Sequence, residues 1–251
     1  MKILRGIVVL AGLIAVWQAI VWITAAEPWM LPSPWAVALA WVEHSQTLLS
    51  HAALTATEII LGLLSGAVLG CTSALIMSYF RPARRWLLPV LVVSQAVPVF
   101  ALAPILVLWL GYGMVSKVAM ATLIIYFPVT AAFHDGLRRT EPGWVDLART
   151  MNANRWSILW RVRIPAALPA LASGMRVATA VAPIGAIVGE WVGSSAGLGY
   201  LMLHANARMQ VDVMFAALVT LAALAVTLYF IMDTGLRKAL PWQPDSAPDN
   251  D

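Results

Sequence analysis

The sequence is poor in charged residues and in cysteine. Asp, Glu, Lys and Arg make up only 11% of its 251 residues and 61% are hydrophobic, whereas water-soluble domains average about 25% charged and about 45–50% apolar residues. The single cysteine, Cys71, excludes a disulfide framework. The apolar runs are continuous, which excludes the alternating pattern of a membrane β-barrel. The composition therefore predicts an all-α protein embedded in a lipid bilayer.

Stretches without charged residues predict about six transmembrane helices, because each crossing needs about 20 apolar residues. The stretch 86–116 exceeds one crossing and contains Gly111-Tyr112-Gly113, so we expect one helix to end near Leu110 and the next to begin near Met114. The first run is too long for the core of a cleaved signal peptide, and we expect it to remain as an anchor. The expected spans are 7–26, 59–80, 86–110, 118–133, 165–189 and 213–232.

Residues outside the spans form no second domain. We expect residues 1–242 to make one transmembrane domain and residues 243–251, rich in Pro, Asp and Ser, to be a disordered cytoplasmic tail. The connection 27–53 contains several Trp and Pro residues and is typical of an interfacial segment with a short amphipathic helix.

The basic residues predict the orientation. With both termini inside the cell, 13 of the 16 Lys and Arg residues lie on the cytoplasmic face, as the positive-inside rule requires. Lys117 and Arg208 lie outside, and Arg176 falls within a span. We expect Lys117 to snorkel at its helix end. The net charge of +4 then reflects membrane topology rather than nucleic-acid binding.

The loop 134–164 is expected to be folded and cytoplasmic. Trp144 to Met151 predicts one short amphipathic helix and Asn154 to Arg163 another. Asn152 lies between them, and asparagine tolerates the left-handed conformation that ends a helix. Pro165, whose fixed φ suits a first helical position, is expected to begin the next span.

Polar residues within or beside the spans are further candidates for functional residues. Glu190, next to Trp191, is either a solvated helix end or part of a substrate path. Gln95 and Pro98 in the third span either line that path or belong to a kinked, packed helix. We expect Glu58 to be an acid favoured at a helix N-terminus.

The spacing of the glycines and of the histidines gives two further predictions. Gly62, Gly66 and Gly70 recur every four residues and predict a smooth face, either an internal contact or a dimer seam. The histidines show no metal-ligand spacing and no phosphate-binding GxxxxGK[ST] loop is present, so we predict no metal, no cofactor and no ATPase activity in this chain.

The loop resembles a motif of the ATP-binding-cassette (ABC) importer permeases. Their motif combines Glu-Ala-Ala, a following Gly, and Ile-x-Leu-Pro. The corresponding residues here are Asp146-Leu147-Ala148, Asn152 and Val162-Arg163-Ile164-Pro165. Only Ala148 and Pro165 are identical to the motif, and the substitutions keep charge, helical character, turn capacity or apolarity.

The resemblance extends from about residue 31 to 242 and is to the nitrate, sulfonate and taurine branch of these permeases. It rests on the segment from Leu54 to Gly70, on Pro98 to Gly113, and on Gly189 to Tyr200. The segments around Glu58 and from Leu203 to Leu218 are more similar to permeases for the pyrimidine precursor of thiamine or related vitamins.

The resemblance implies a permease subunit, not an enzyme, in the bacterial inner membrane. Its implied partners are a cytoplasmic ATP-binding subunit, an extracytoplasmic solute-binding protein, membrane lipid and a second copy in a homodimer. The expected ATPase-coupling residues are those of the motif together with the apolar ridge of the predicted loop helix: Trp144, Asp146, Leu147, Ala148, Met151, Asn152, Val162, Ile164 and Pro165.

Two alternatives to this prediction differ from it in the substrate or in the class of transporter. The same importer class could carry sulfonate, taurine or nitrate instead of a vitamin precursor. A self-contained secondary transporter is the alternative from another class, and it predicts inverted repeats and paired intramembrane charges. Neither feature is evident in the sequence.

Overall fold

The computed structural model describes residues 2–242, except the side chains of residues 2, 3, 5, 95 and 96. Within this range every regular element is a helix, which confirms the all-α prediction. The expected tail, 243–251, lies outside the described residues. The helices are α1 Lys2–Thr24, α2 Pro34–Glu43, α3 Ser45–Tyr79, α4 Arg81–Ala96, α5 Val99–Leu110, α6 Met114–Arg138, α7 Pro142–Thr150, α8 Arg155–Ile158, α9 Ile164–Gly193, α10 Leu198–Ala207 and α11 Val211–Ala239, with a π-helical turn Leu159–Arg163 joining α8 to α9.

The number of spans agrees with the expectation of about six. Five helical stretches of the described chain are long and apolar enough to cross a membrane, and α4 with α5 makes a sixth if the two are counted together. The five are Gly6–Thr24, Ser45–Tyr79, Met114–Arg138, Arg155–Gly193 and Val211–Ala239.

The third span is not the continuous helix 86–110 that we expected. Its two halves, α4 and α5, meet at 104°. Val97, which precedes Pro98, has an extended backbone with φ −86° and ψ 116°, because the ring of a following proline disfavours the helical conformation. Pro98 therefore lies at the break, as the N-cap of α5, rather than within a kinked helix.

The second span begins earlier than expected. The short helix predicted within 27–53 is present as α2, with the Ser33 side chain accepting a hydrogen bond from the Ala36 N–H. However, α3 already begins at Ser45 and continues through Glu58. The predicted span begins after Glu58, because a charged residue is unfavourable within a transmembrane segment. In the structure this carboxylate is paired with Lys117 inside the protein.

Helix α6 lies at the centre and packs mainly against α3 and α9. Gly62, Gly66 and Gly70 of α3 face Ala121, Ile125 and Val129 of α6, and a Cβ on any of these glycines would lie too close to the α6 side chain. The glycine face is therefore an internal contact between α3 and α6. Close backbone approach of this kind is a common mode of helix packing in membranes, where dispersion contacts rather than hydrophobic burial hold helices together.

Two parts of the bundle keep large apolar surfaces uncovered. No residue in the spanning window of helix α1 is fully buried, and the Trp17 indole N–H donates to the Pro32 carbonyl. Many described side chains of α4 and α5 also project outward, among them Trp86, Val93, Phe100 and Trp109. In a bilayer such surfaces contact lipid or another subunit.

We expect Gly66→Leu to destabilise the bundle, because a Cβ at residue 66 would already overlap the Ile125 side chain and overpacking costs about 1–3 kcal/mol. The matched control is Gly235→Leu, at a glycine with nothing within 4 Å of its Cβ position. Thermal denaturation in detergent should show a lower Tm for the first variant only. Equal Tm values would contradict the close packing of α3 on α6.

Candidate functional site

The segment between α6 and α9 folds largely as expected. Helix α7 covers the first predicted helix, and Asn152 follows it with φ 58°, in the left-handed region. The Asn154 side chain caps α8 by accepting the Ser157 N–H at 2.8 Å.

The second predicted helix is not a separate element. Helix α8 passes through the π-turn directly into α9, where Pro165 occupies the first turn. A proline ring clashes with the carbonyl four residues earlier in a regular α-helix, and the wider π-turn preceding Pro165 relieves this clash without ending the helix.

One face of α7 forms an apolar groove, here called the α7 groove. The side chains of Trp144, Leu147 and Met151 are 53%, 62% and 76% exposed. They border a concavity of about 490 Å³. Its lining residues are Trp144, Leu147, Ala148, Met151, Arg161, Val162, Pro165, Ala166 and Trp242. Exposed apolar surfaces of this kind mark interaction sites.

The structure thus brings together six of the nine residues expected to couple to a partner: Trp144, Leu147, Ala148, Met151, Val162 and Pro165. The other three lie elsewhere. Asp146 is at the surface, where it accepts a hydrogen bond from Arg149 at 2.9 Å, Asn152 makes the turn after α7, and Ile164 packs against a core cluster that includes Phe133. Trp242 was missed, because it is far from the loop in sequence.

A buried ion pair lies between α3 and α6. The Lys117 ammonium is 2.8 Å from the Glu58 carboxylate, with side-chain exposures of 7% and 0%. Glu58 lies well inside α3, so the prediction of an acid at a helix N-terminus is wrong. The prediction that Lys117 snorkels is also wrong, because a buried carboxylate offers its ammonium a closer partner than the membrane surface does.

Glu190 belongs to the same polar region. It is 1% exposed, so it is not a solvated helix end. One carboxylate oxygen accepts a hydrogen bond from the Thr55 hydroxyl at 2.6 Å, and the other accepts one from the Gly199 N–H. Thr55 lies one turn before Glu58 on α3, so the two carboxylates occupy neighbouring positions in the bundle.

The N-terminus of α10 is held by side chains of α3 and α9. The N–H groups of Gly197 and Leu198 donate to His51 Nδ1 and to the Thr55 hydroxyl at 2.8 and 2.9 Å. Gly197 has φ 115°, and a Cβ there would overlap the Glu190 carboxylate. The Gly-Leu-Gly segment therefore allows the first N–H groups of α10 to donate to His51, Thr55 and Glu190.

A second charge pair joins α9 to α11. Arg176 donates to Asp233 at 2.7 Å, and Arg237 donates to the other oxygen of Asp233 at 2.9 Å. Paired intramembrane charges, which are not evident in the sequence, are thus present in the structure. The sequence does not reveal these pairs, because Arg176 and Asp233 are 57 residues apart along the chain and Glu58 and Lys117 are 59 residues apart.

The residues expected along a substrate path are not gathered in one place. Pro98 is exposed at the break between α4 and α5, Trp191 is 44% exposed, and Glu190 is buried among α3, α9 and α10. The Gln95 side chain lies outside the described residues.

Comparison with known proteins identifies the relatives of this chain. Residues 59–239 match the family described as binding-protein-dependent transport system inner membrane component. A probable ABC transporter permease of Haemophilus influenzae is 54% identical, over 92% of this chain and 95% of the relative. A formylaminopyrimidine transport permease of Halalkalibacterium halodurans is 36% identical over 86% and 87%, and a riboflavin transport permease of Chloroflexus aurantiacus is 37% identical over 94% and 89%. The taurine transport permease of Escherichia coli is 28% identical over 93% and 87%.

The fold also occurs among solved structures. The inward-facing MetNI methionine ABC transporter matches with a TM-score of 0.68 at 19% identity, covering 78% of this chain and 97% of the solved chain. At this identity the likeness establishes the fold alone.

We expect Lys117→Met to destabilise the protein strongly, because it leaves the Glu58 carboxylate buried without its counterion, which costs about 3–5 kcal/mol. The double variant Lys117→Met with Glu58→Gln should recover part of the loss, since no uncompensated charge remains. Arg208→Met, at an exposed residue, is the control. Thermal denaturation measures the effect, and a double variant no more stable than the single one would contradict the pairing.

Proposed function

Since the chain belongs to the family of binding-protein-dependent transport system inner membrane components, and is a permease of the ABC importer type, we propose that it carries a heterocyclic vitamin or vitamin precursor inward across the bacterial cytoplasmic membrane. ATP hydrolysis in these transporters is carried out by a separate subunit, so this chain is not an enzyme. Family membership also excludes the self-contained secondary transporter.

The proposed contact with the ATPase is the α7 groove, and this groove is the observation that carries the mechanism. Its apolar lining is exposed although it lies on a folded element rather than a loose loop. A short helix with an apolar ridge is a recurrent partner for a protein groove. The nine expected coupling residues from Trp144 to Pro165 all lie within or beside α7 and the turn into α9. Closure of the ATPase then moves α7 and, through the continuous α8 to α9 helix, the spanning bundle.

The proposed path for the solute runs between two copies of the chain. In the proposed homodimer, the second copy covers part of the outward apolar surface of α4 and α5, and lipid covers the rest. We assign Gln95, Pro98, Glu190 and Trp191 to the path, with both termini and α7 on the cytoplasmic side. Glu190 is engaged with Thr55 and Gly199 in this structure, so its part in the path requires α10 to move away.

The proposed solute class rests on similarity. The relatives named for formylaminopyrimidine and riboflavin are 36% and 37% identical to this chain, whereas the one named for taurine is 28% identical. The alternative is a sulfonate, taurine or nitrate importer of the same class.

We expect Ala148→Arg to uncouple ATP hydrolysis from transport. Ala148 lines the α7 groove between exposed apolar side chains, and a long charged side chain would prevent a partner from seating there. Solute uptake into liposomes should fall at least about tenfold, the effect of losing roughly 1.4 kcal/mol of docking energy, while the variant still folds. Thr150→Arg is the control, because Thr150 is on the same helix but does not line the groove. Full uptake by Ala148→Arg would refute the assignment.

We also expect ATP hydrolysis to respond to the solute. The permease is co-reconstituted in liposomes with its ATPase and binding protein, and hydrolysis is measured with formylaminopyrimidine, riboflavin or taurine. Stimulation by either heterocycle alone supports the proposal. Stimulation by taurine alone keeps the importer and replaces the solute, and failure of the ATPase to co-purify contradicts the coupling through α7.

A further inference from the structure

A pocket lined by arginines lies behind α7, on the side away from the α7 groove. It encloses about 340 Å³ and is here called the arginine pocket. Arg81, Arg149, Arg155 and Arg163 contribute to it from α4, α7, α8 and the π-turn, together with the hydroxyl residues Ser78 and Tyr79 at the end of α3. No acidic residue is among its lining residues.

The positive charge of the pocket is largely uncompensated. Among the described residues, only Arg149 of the four makes an ion pair, with Asp146 at the surface, where both side chains are about two-thirds exposed. The Nε of Arg163 is buried and has no hydrogen-bond partner in the described part of the chain. Four guanidinium groups around one cavity repel each other, so a bound anion would stabilise the arrangement.

The pocket lies where spanning helices end. Tyr79 is the last residue of α3, Arg81 the first of α4, and Arg163 directly precedes α9. An aromatic cluster borders the same place: Tyr79 contacts Phe80 and Trp156, with ring centroids 4.8 and 5.5 Å apart, and Trp156 contacts Trp160 at 5.7 Å. The side chains of Phe80, Trp156 and Trp160 are about half exposed. Exposed tryptophans and tyrosines at helix ends are typical of the membrane interface.

We propose that the arginine pocket binds the phosphate group of an anionic phospholipid. Guanidinium groups form paired, charge-assisted hydrogen bonds with phosphate oxygens, and basic pockets between transmembrane helices are known to take lipid head groups. A free phosphate ion would satisfy the arginines but not the aromatic border, whereas a phospholipid places its phosphate in the pocket and its glycerol and acyl chains against Phe80, Trp156 and Trp160.

Such a lipid would connect α7 to the ends of the spanning helices α3 and α4. Arg149 belongs to α7, whereas Ser78, Tyr79 and Arg81 belong to the ends of α3 and α4. One phosphate held between them fixes α7 against the spanning helices from the side opposite the α7 groove. The inference depends on the chain being a membrane protein and not on which solute it carries.

The test is lipid binding by the full-length protein in detergent, followed by native mass spectrometry during titration with phosphatidylglycerol or phosphatidylcholine. We expect phosphatidylglycerol to bind more tightly, and Arg155→Gln with Arg163→Gln to weaken its binding about 30-fold, because each basic contact with an anionic head group contributes about fivefold. The charge-matched control is Arg138→Gln with Arg139→Gln, at two exposed arginines outside the pocket, which should bind as the parent does.

The other outcomes overturn the proposal. Equal loss of binding in both double variants would mean that only overall charge attracts the lipid. Displacement of phosphatidylglycerol by excess inorganic phosphate would replace the lipid by a soluble anion as the natural ligand. If the pocket double variant does not fold, Arg81→Gln with Ser78→Ala removes two other pocket contacts, and unchanged phosphatidylglycerol binding by that variant would also refute the site.

Discussion

The ion pair between Lys117 and Glu58 is the contact around which the helices of this protein are arranged. A charge in an apolar bundle is costly unless a partner of opposite charge lies beside it. Lys117 neutralises Glu58, Gly189 of α9 packs directly against the lysine stem, and Thr55, one turn from Glu58, donates to Glu190. Helices α3, α6, α9 and the start of α10 thus meet at one polar region.

The role proposed for α7 is to transmit motion from the ATPase. Its residues divide between two surfaces: Trp144, Leu147, Ala148 and Met151 face the α7 groove, whereas Val145 and Arg149 face the arginine pocket. A helix of nine residues is too short to be stable by itself, so its position depends on what covers these two surfaces. In the proposed importer an ATPase covers one and a lipid phosphate supports the other, and the π-turn carries displacement of the loop into α9 without a flexible joint.

Much of the candidate coupling site was predictable because it is local in sequence. The alternation of apolar and charged residues from Trp144 to Met151, the turn residue Asn152 and the helix-starting Pro165 are short-range signals, and the structure has a helix, a left-handed turn and a helix start there. Trp242 could not be found in this way, since nothing near it in the chain marks it as part of the groove. The break at Pro98 was locally signalled as well, but an apolar run of spanning length favoured one helix over two.

The sequence by itself determined that the chain lies in a membrane, that it has about six spans, and which segment carries the exposed amphipathic helix, because hydropathy and helical period act within one segment and need no partner. Only the tertiary structure decided whether each polar residue lies at a helix end or is paired in the interior. Glu58 and Lys117 are 59 residues apart, and each alone is read as a helix-end charge. Whether a charge inside an apolar run ends a span or pairs within it depends on which side chain the opposite helix presents, and that is fixed only when α3, α6 and α9 pack together.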